Sequence, residues 1–398
     1  MINNQRDSMS ELKTADPSEV REFPHAMLRE IYEQPDAIRR TLELYLPRGT
    51  NGPELNAEFF SPLAEWGNPH GEVLIAASGS SRHSGLAGEI ALEDQCGLAV
   101  DVEYASEYSL RGDNAKDPRN PSVIVLSQSG ETSDTLAALR EARRRGQKTL
   151  AITNVEDSTM AREADLSMPL GAGREKAIPA TKSFTCQLTV LALLAVYEGV
   201  ALNRLGPETL ASRLKDLEAI PDALAAQIPG WEKQMEALAK KYRDAATFLF
   251  LGRGIHYAIA REGALKLKEA SYVHAEGYPT GELKHGPNAL VSDKTPLVVL
   301  ATVDPSSEGS VLRYDKTLQL LADMKKQGAR VIALANSGDT EVPALATDTV
   351  FVTPGPEHLL PITEVVPLQL FAYFMALEHG VNVDQPRNLA KAVVEKTA

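Results

Sequence analysis

Five hydroxyl side chains surround a single glycine in the stretch VLSQSGETSDT, residues 125–135. The apolar run at residues 123–126 is too short for a helix and predicts a buried parallel strand, and leucines and alanines resume at helical spacing after the stretch. Amides at a helix N-terminus bind anions, and serine hydroxyls complete such a site. The alternative is that Ser129 or Thr132 caps the helix. The GxxxxGK[ST] pattern is absent from the sequence, so a nucleotide is not the expected ligand.

A second set of candidate residues combines carboxylates with a lysine. Glu262, Lys266 and Glu269 follow a glycine turn at positions i, i+4 and i+7, which places them on one side of a helix. Such a set can move protons, or it can be a solvated stripe held by salt bridges. The next segment, residues 273–291, has titratable groups between glycine and proline turns, which is typical of loops that carry binding or catalytic residues. These groups are His274, Glu276, Tyr278, Glu282, Lys284 and His285.

The C-terminal segment QPRNLAKAVVEKTA, residues 385–398, carries a third candidate group, Lys391. A lysine near a terminus is usually solvated. Here apolar residues flank it, and they predict that the segment docks on the protein instead of fraying. The flanking residues are Leu389, Ala390, Val393 and Val394.

The elements that would position these residues alternate between strands and helices. Strands are predicted within residues 71–81, 99–104, 123–126 and 149–153, and again within 247–252, 296–302 and 329–335, with helical patterns between them and at 24–46 and 202–243. This alternation predicts an α/β fold with doubly wound parallel sheets. Ligands of such sheets bind at the carboxyl ends of the strands, so the hydroxyl-rich turns at 78–81 and 127–132 can converge on one phosphate.

Composition limits the classes of function. The 398 residues are 43% hydrophobic and 24% charged, as in an ordinary globular protein, and the net charge of −13 argues against a nucleic-acid partner. Cys96 and Cys186 fit a reduced compartment and have no metal-ligand spacing. The most apolar stretch, residues 188–196, is about half the length of a membrane span. We therefore expect a soluble cytoplasmic protein with no metal, no other cofactor and no membrane partner.

The sequence is similar to a known family over most of its length. The motifs SQSGETSDT, ATKSFT, LKLKE, GELKHGP and QPRNLAK, in this order, resemble the isomerase half of the glucosamine-6-phosphate synthases (glutamine:fructose-6-phosphate aminotransferases). Residues 25–42, HAMLREIYEQPDAIRRTL, resemble the segment that precedes that half. The isomerase half is a pair of SIS (sugar isomerase) domains, so the resemblance implies two tandem SIS domains, each a doubly wound parallel sheet flanked by helices.

Domain boundaries follow from the resemblance and the helical patterns together. We expect an N-terminal tail and helix at residues 1–46, with the first 20 residues forming no periodic element. A first SIS domain is expected at 47–201, a helical linker at 202–243, a second SIS domain at 244–380 and an active-site tail at 381–398.

The resemblance also implies roles for individual residues. Glu269 would be the base that moves a proton between C1 and C2 of the sugar, with Lys266 positioning it. His285 would open the sugar ring in the site of a neighbouring subunit, which requires at least a homodimer, and Lys391 would form a Schiff base with the open-chain ketose. The residue types suit these tasks. The sugar phosphate would be bound by Ser81, Ser127, Gln128, Ser129 and Thr132.

Departures from the family pattern shape the expected reaction. The synthases carry a glutaminase domain with an N-terminal cysteine nucleophile, whereas this chain begins Met1-Ile2-Asn3. Residues 178–180 read Ile-Pro-Ala where the family has a Val-Ala-Ser run, and residues 78–80 read Ser-Gly-Ser where it has Cys-Gly-Thr. We expect conversion of glucosamine 6-phosphate to fructose 6-phosphate and ammonia without glutamine. Ammonia-dependent synthesis, deglycation of a phosphorylated fructosamine and a sugar-phosphate-sensing regulator stay open as alternatives.

Overall fold

The computed structural model describes residues 21–49, 52–66, 71–111 and 120–391. The first 20 residues, for which the sequence predicts no periodic element, lie outside the described part. The segment before the first sheet contains two helices, a short hairpin and two single-turn helices. These elements are α1 (Ala26–Tyr32), α2 (Gln34–Tyr45), β1 (Arg48–Gly49), β2 (Gly52–Pro53), α3 (Ala57–Phe60) and α4 (Leu63–Trp66).

The first domain is built on a five-stranded parallel sheet. Its strands are β3 (Glu72–Ala77), β4 (Ala99–Tyr104), β5 (Ser122–Ser127), β6 (Thr149–Thr153) and β7 (Leu166–Pro169), in the order β4-β3-β5-β6-β7. The helices are α5 (Gly79–Cys96), α6 (Ala105–Ser109), α7 (Ser133–Arg144), α8 (Thr159–Glu163) and α9 (Lys182–Ala201). The chain order reverses between β4 and β5 around β3, so the predicted doubly wound arrangement is confirmed.

The second domain repeats this architecture after a long helix, α10 (Pro207–Tyr242). Its parallel sheet has the order β12-β11-β10-β8-β9. The strands are β8 (Thr247–Gly252), β9 (His274–Pro279), β10 (Leu297–Leu300), β11 (Val331–Asn336) and β12 (Asp348–Val352). The α-helices are α11 (His256–Ser271), α12 (Glu308–Lys326), α13 (Glu341–Leu345) and α14 (Leu360–Glu378), and 3-10 helices occupy Thr280–His285, Pro287–Leu290 and Glu357–Leu359.

A single apolar core joins the two domains. One cluster of buried side chains includes the inner faces of both sheets, represented by Ile75 and Phe250, together with most of α9 and α14. The segments Lys182–Ala201 and Glu357–Glu378 are long and apolar enough to cross a membrane by length and composition, and 83% and 100% of their apolar windows are buried inside the protein. Their apolar surface is therefore covered by packing between helices and sheets.

In the two five-stranded sheets, the sequence-based prediction lacks three strands, β7, β9 and β12, and all three lie at sheet edges. A central parallel strand is buried on both faces and shows a continuous apolar run, whereas an edge strand shows a mixed pattern. The most instructive case is β9, because its sequence HAEGYP suggests a turn. It pairs in parallel with β8 along its whole length, from Thr247–His274 to Gly252–Pro279. Pairing with the neighbouring strand outweighs local propensity here.

Close packing of β9 against α11 explains a glycine in the middle of this strand. A Cβ atom added to Gly277 would lie 2.7 Å from the Cα atom of Arg261. We expect Gly277→Ala to lower the free energy of unfolding by about 1–3 kcal/mol, because the strand or the helix must shift. The midpoint of urea unfolding measures this change.

Gly230→Ala is the matched control, because Gly230 lies inside α10 and a Cβ atom there meets no heavy atom within 4 Å. This variant is expected to be as stable as the wild type or more stable by about 0.5–1 kcal/mol, since alanine favours a helix interior. Equal midpoints for the two variants would show that β9 has room to move.

Candidate active site

The hydroxyl-rich turn between β5 and α7 forms a compact cluster. The Ser127 side chain is buried, and its Oγ lies 3.1 Å from Thr132 Oγ1 and 3.5 Å from Ser129 Oγ. Ser127 Oγ accepts a hydrogen bond from the Gly130 amide (3.0 Å), and Ser129 Oγ accepts one from the Glu131 amide (3.1 Å). The hydroxyls therefore hold the turn in one shape while their remaining hydrogen-bonding capacity stays available.

Helix capping does not account for this cluster. Thr132 is the N-cap residue of α7, yet its side chain accepts no hydrogen bond from the first-turn amides, so these amides keep the character of an anion site. Glu131 binds the start of a different helix, because its Oε1 accepts a hydrogen bond from the Thr159 amide (2.7 Å) at the start of α8. Gly130 is required between them: its φ is +66°, and an added Cβ would lie 2.1 Å from Ser158 Oγ.

Ser81 lies at the same edge of the sheet as this turn. It is in the first turn of α5, which follows β3, and β3 pairs directly with β5. Gln187 on α9 fixes its side chain: the Gln187 Nε2 donates to Ser81 Oγ (2.9 Å), and Gln187 Oε1 accepts from Ser84 Oγ (2.9 Å). Gln187 is fully buried and was not singled out from the sequence, since an isolated glutamine in an apolar helix gives no signal.

The charged residues of α11 are buried, not solvated. Lys266 and Glu262 are at most 1% exposed, and only Glu269, with 22% of its side chain accessible, reaches the surface. Lys266 Nζ donates to Glu269 Oε2 and lies 3.4 Å from Glu262 Oε1. The alternative of a solvated salt-bridged stripe is therefore wrong for two of the three residues.

Electrostatics keeps this buried group charged. Burial by itself would lower the pKa of Lys266, but the negative charges of Glu269 and Glu262 outweigh it and raise the pKa above the ordinary value for lysine. Burial would likewise raise the pKa of Glu262, and the Lys266 charge and a hydrogen bond from His83 hold it below the usual range. Lys266 thus remains an ammonium that orients the Glu269 carboxylate.

His83 connects this cluster to the first domain. Its Nδ1 lies 2.8 Å from Glu262 Oε2, so α5 of the first domain and α11 of the second meet through a buried polar contact. Neither His83 nor Glu175, which contacts Lys391, was identified from the sequence as a site residue. For each of them the partner is more than 170 positions away in the chain, and no local spacing can reveal it.

The C-terminal segment docks through polar contacts. Lys391 Nζ donates to Glu175 Oε2 (2.5 Å) and to the Ala177 carbonyl (2.7 Å). Glu175 is completely buried and also accepts from Ser183 Oγ (2.8 Å). Burial would raise the pKa of Glu175, but the charge of Lys391 outweighs it and lowers the pKa. The charge of Glu175 also helps to raise the pKa of Lys266, which links the tail lysine to the α11 cluster.

Two of the apolar neighbours of Lys391, Leu389 and Ala390, do not carry this docking. Leu389 and Ala390 are exposed, and Val393 and Val394 lie outside the described residues. Further upstream, the Asp384 carboxylate accepts from the Ala26 and Met27 amides (2.8 Å each), and the Tyr272 hydroxyl accepts from the Arg387 amide (2.6 Å). Backbone and charged partners therefore position the tail together with Val383, which is fully buried in the apolar core.

His285 is not brought together with the other candidates within this chain. It ends the 3-10 helix Thr280–His285, is exposed, and its side chain forms no hydrogen bond or ion pair with the residues that the structure describes. Gln128 is partly buried in the turn, and its carbonyl accepts from the Asn154 amide (3.2 Å). The described contacts therefore link Lys266, Glu269 and, through Glu175, Lys391. They place Ser81 and the hydroxyl turn after neighbouring strands of one sheet and leave His285 at the surface.

Comparisons with known proteins agree with this architecture. The sequence profile of the SIS domain matches residues 68–197 and 241–379. The chain is 41% identical over 389 residues to glutamine–fructose-6-phosphate aminotransferase (isomerizing) of Thermus thermophilus, covering 98% of this chain and 62% of the relative. The Chlorobaculum tepidum aminotransferase is 40% identical and covers 93% and 58%. The chain thus spans about three fifths of the length of these relatives.

Solved structures give the same result. The C-terminal domain of glucosamine-fructose-6-phosphate aminotransferase from Francisella tularensis superposes with a TM-score of 0.82 at 32% identity, covering 92% of this chain and 98% of that one. A glucosamine-6-phosphate deaminase from Thermotoga maritima superposes with a TM-score of 0.69 at 24% identity, covering 93% and 100%. The second likeness is one of fold.

The role of the hydroxyl turn can be tested by binding alone. We expect Ser129→Ala and Thr132→Val each to weaken binding of fructose 6-phosphate by roughly tenfold or more, because a hydrogen bond to a charged group contributes about 1.5–3 kcal/mol. Isothermal titration calorimetry measures the dissociation constants. Ser106→Ala, which removes an exposed hydroxyl on α6, is the control. Unchanged affinity for fructose 6-phosphate in both variants would show that the turn does not bind the phosphate and has only a structural role.

Proposed function

This chain belongs to the SIS domain family, and from that premise we propose that it is an amino-sugar phosphate isomerase and deaminase. It would convert glucosamine 6-phosphate to fructose 6-phosphate and ammonia without glutamine. The observation that carries the proposal is the Glu269 carboxylate, partly exposed and bonded to the buried Lys266 ammonium. A protein that only senses sugar phosphates needs the hydroxyl turn but has no use for a carboxylate held in this way.

Proton transfer between two sugar carbons suits this pair. With the 6-phosphate bound by the hydroxyl turn and Ser81, Glu269 takes the proton from C2 of the open-chain aldose and returns it to C1, which is general base and then general acid catalysis by one group. Lys266 stays protonated beside it. Its positive charge stabilises the negative charge that develops on the sugar oxygen during transfer.

Release of ammonia follows from the nitrogen at C2. Moving the proton from C2 to C1, while a proton passes from the C2 nitrogen to the C1 oxygen, leaves C1 as an alcohol and C2 as an imine. The Lys391 amine adds to that carbon, ammonia leaves, and water hydrolyses the lysine imine to give the ketone of fructose 6-phosphate and the free lysine. Lys391 Nζ donates to Glu175 and to the Ala177 carbonyl, so it must leave these partners before its nitrogen can add to the sugar.

The state of the two thiols bears on whether these cysteines could hydrolyse glutamine. Cys96 and Cys186 are buried, and burial raises the pKa of each to about 12, so neither is a thiolate that could attack the amide of glutamine. Hydrolytic release needs only water and the groups named above. Buried thiols without a disulfide also suit the cytoplasm, where we expect the protein to act.

Synthesis of glucosamine 6-phosphate is the second candidate, and the 41% identity to an aminotransferase favours it. The same groups would run in reverse, with ammonia adding to the imine that Lys391 forms with fructose 6-phosphate. At neutral pH most ammonia is protonated and cannot add, which favours release when ammonia is not delivered to the site.

One experiment separates these functions. The purified chain is incubated with glucosamine 6-phosphate, and ammonia and fructose 6-phosphate are measured. Both should form, and Glu269→Gln and Lys391→Ala should each lower kcat by about 10²-fold or more. The controls Glu308→Gln and Lys326→Ala remove exposed charges on α12 and should leave the rate unchanged. Absence of turnover would contradict the proposal, as would formation of glucosamine 6-phosphate from fructose 6-phosphate and glutamine.

Ring opening by His285 requires a second subunit, and we expect a homodimer. The support is the exposure of His285 on a short 3-10 helix while the rest of the candidate site lies elsewhere in its own chain. If His285 acts in the neighbouring site, mixing inactive His285→Ala with inactive Glu269→Gln subunits recovers part of the wild-type rate, because one site in each hybrid dimer is intact. Hybrids without activity would place His285 in its own subunit's site, and full activity in a monomeric sample would exclude the dimer.

A further inference from the structure

A cavity of about 500 Å³ lies between the two domains, beside the buried cluster of Glu262, Lys266 and Glu269. One side is formed by the start of α5 and the end of β4, and the other by α11 and β9. The side chains that matter for its chemistry are His83, Tyr104, Tyr257, Arg261, Lys268 and Tyr278. None of these residues belongs to the hydroxyl turn or to the proton-transferring pair.

Arg261 organises two tyrosine hydroxyls in this cavity. Its Nη1 donates to the Tyr257 hydroxyl and its Nη2 to the Tyr104 hydroxyl, both at 3.1 Å. A guanidinium is only a donor, so each tyrosine oxygen acts as an acceptor in these bonds and keeps its own proton to donate. The group therefore presents a positive charge and two hydroxyl donors together.

A second guanidinium lies next to it with unused donors. The Arg82 guanidinium carbon is 3.9 Å from the centre of the Tyr104 ring, and Arg82 Nη2 donates weakly to the Val102 carbonyl (3.4 Å). Its Nε and Nη1 are buried and have no hydrogen-bond partner in the part of the chain that the structure describes. Burial and the nearby positive charge of Arg261 both lower the pKa of Arg82.

The positive charges in and beside this cavity lack a close carboxylate within the described residues, although the more distant Glu89 interacts with Arg82. Within the described residues, Arg82, Arg261 and Lys268 form no salt bridge. The one carboxylate of the lining, Glu276, accepts a hydrogen bond from the Tyr278 hydroxyl and lies 3.9 Å from His274 Nε2. Two half-buried guanidiniums with unused donors are costly to hold together, and an anion that binds both would offset that cost.

We propose that this cavity is a second binding site, which takes a small phosphorylated molecule with a ring that packs against the tyrosines. Guanidiniums bind phosphate oxygens with paired hydrogen bonds, and the rings of Tyr104, Tyr257 and Tyr278 offer a surface for a sugar or a planar base. The site is coupled to the catalytic cluster, because His83 lines the cavity and its Nδ1 bonds to Glu262 beside Lys266. The phosphate could belong to a separate effector or to a second anionic group of the substrate.

The test measures binding and does not depend on which reaction the protein catalyses. Pyrophosphate is titrated calorimetrically into the Ser129→Ala/Thr132→Val protein, in which the hydroxyl turn is disabled. We expect one binding event that Arg261→Gln and Arg82→Gln each weaken by roughly tenfold or more, since each removes charged hydrogen bonds. Arg330→Gln is the matched control, because Arg330 also stacks on a tyrosine ring, at 4.2 Å from the centre of Tyr242, away from the cavity.

Two outcomes overturn the proposal: equal affinity in the arginine variants and the control, or loss of all pyrophosphate binding when the turn alone is disabled. Arg261→Lys guards against a folding defect, because it keeps the charge but not the paired geometry and should bind with intermediate affinity. Pyrophosphate is then added to wild-type protein during sugar phosphate turnover. If pyrophosphate competes with the substrate, the cavity binds a second anionic group of the substrate itself. If pyrophosphate changes kcat without competing, the cavity binds a separate effector.

Discussion

The buried ammonium of Lys266 is the constraint on which the rest of the site depends. A lysine that is 1% exposed keeps its charge only because two carboxylates lie against it, and one of them, Glu262, is itself buried and held by His83 of the other domain. The chain of contacts from His83 through Glu262 and Lys266 to Glu269 sets how α5 and α11 meet. The relative position of the two domains is therefore linked to the position of the base that would transfer the proton.

The two tandem domains share an architecture but contribute differently. The carboxyl edge of the first sheet presents hydroxyls and helix N-termini, which suit a phosphate. The second domain contributes α11, with the charged groups for chemistry, and β9, which packs tightly enough on α11 to require Gly277. The tail then brings Lys391 to Glu175 near the start of α9, so the site closes where both domains and the C-terminal segment meet.

The arginine-lined cavity uses the same junction between domains from another side. His83 belongs to its lining and to the buried chain of contacts, so an anion bound there acts on residues that orient Lys266. Arg261 is on the same helix as Lys266 and Glu269. A ligand in the cavity would therefore bias the arrangement of α11 directly, without a longer path through the protein.

The sequence by itself determined the alternation of strands and helices, the two parallel sheets and the hydroxyl-rich turn, because buried central strands and helix starts leave local patterns. The spacing of Glu262, Lys266 and Glu269 likewise placed these residues on one helix face. Tertiary structure decided what local spacing cannot express. Edge strands such as β9 form by pairing with a neighbour, the burial of Lys266 depends on the other domain, and the partners Glu175 and His83 are distant in the chain. A charge on a helix face looks the same in sequence whether water or another domain covers it, and only packing settles which one it is.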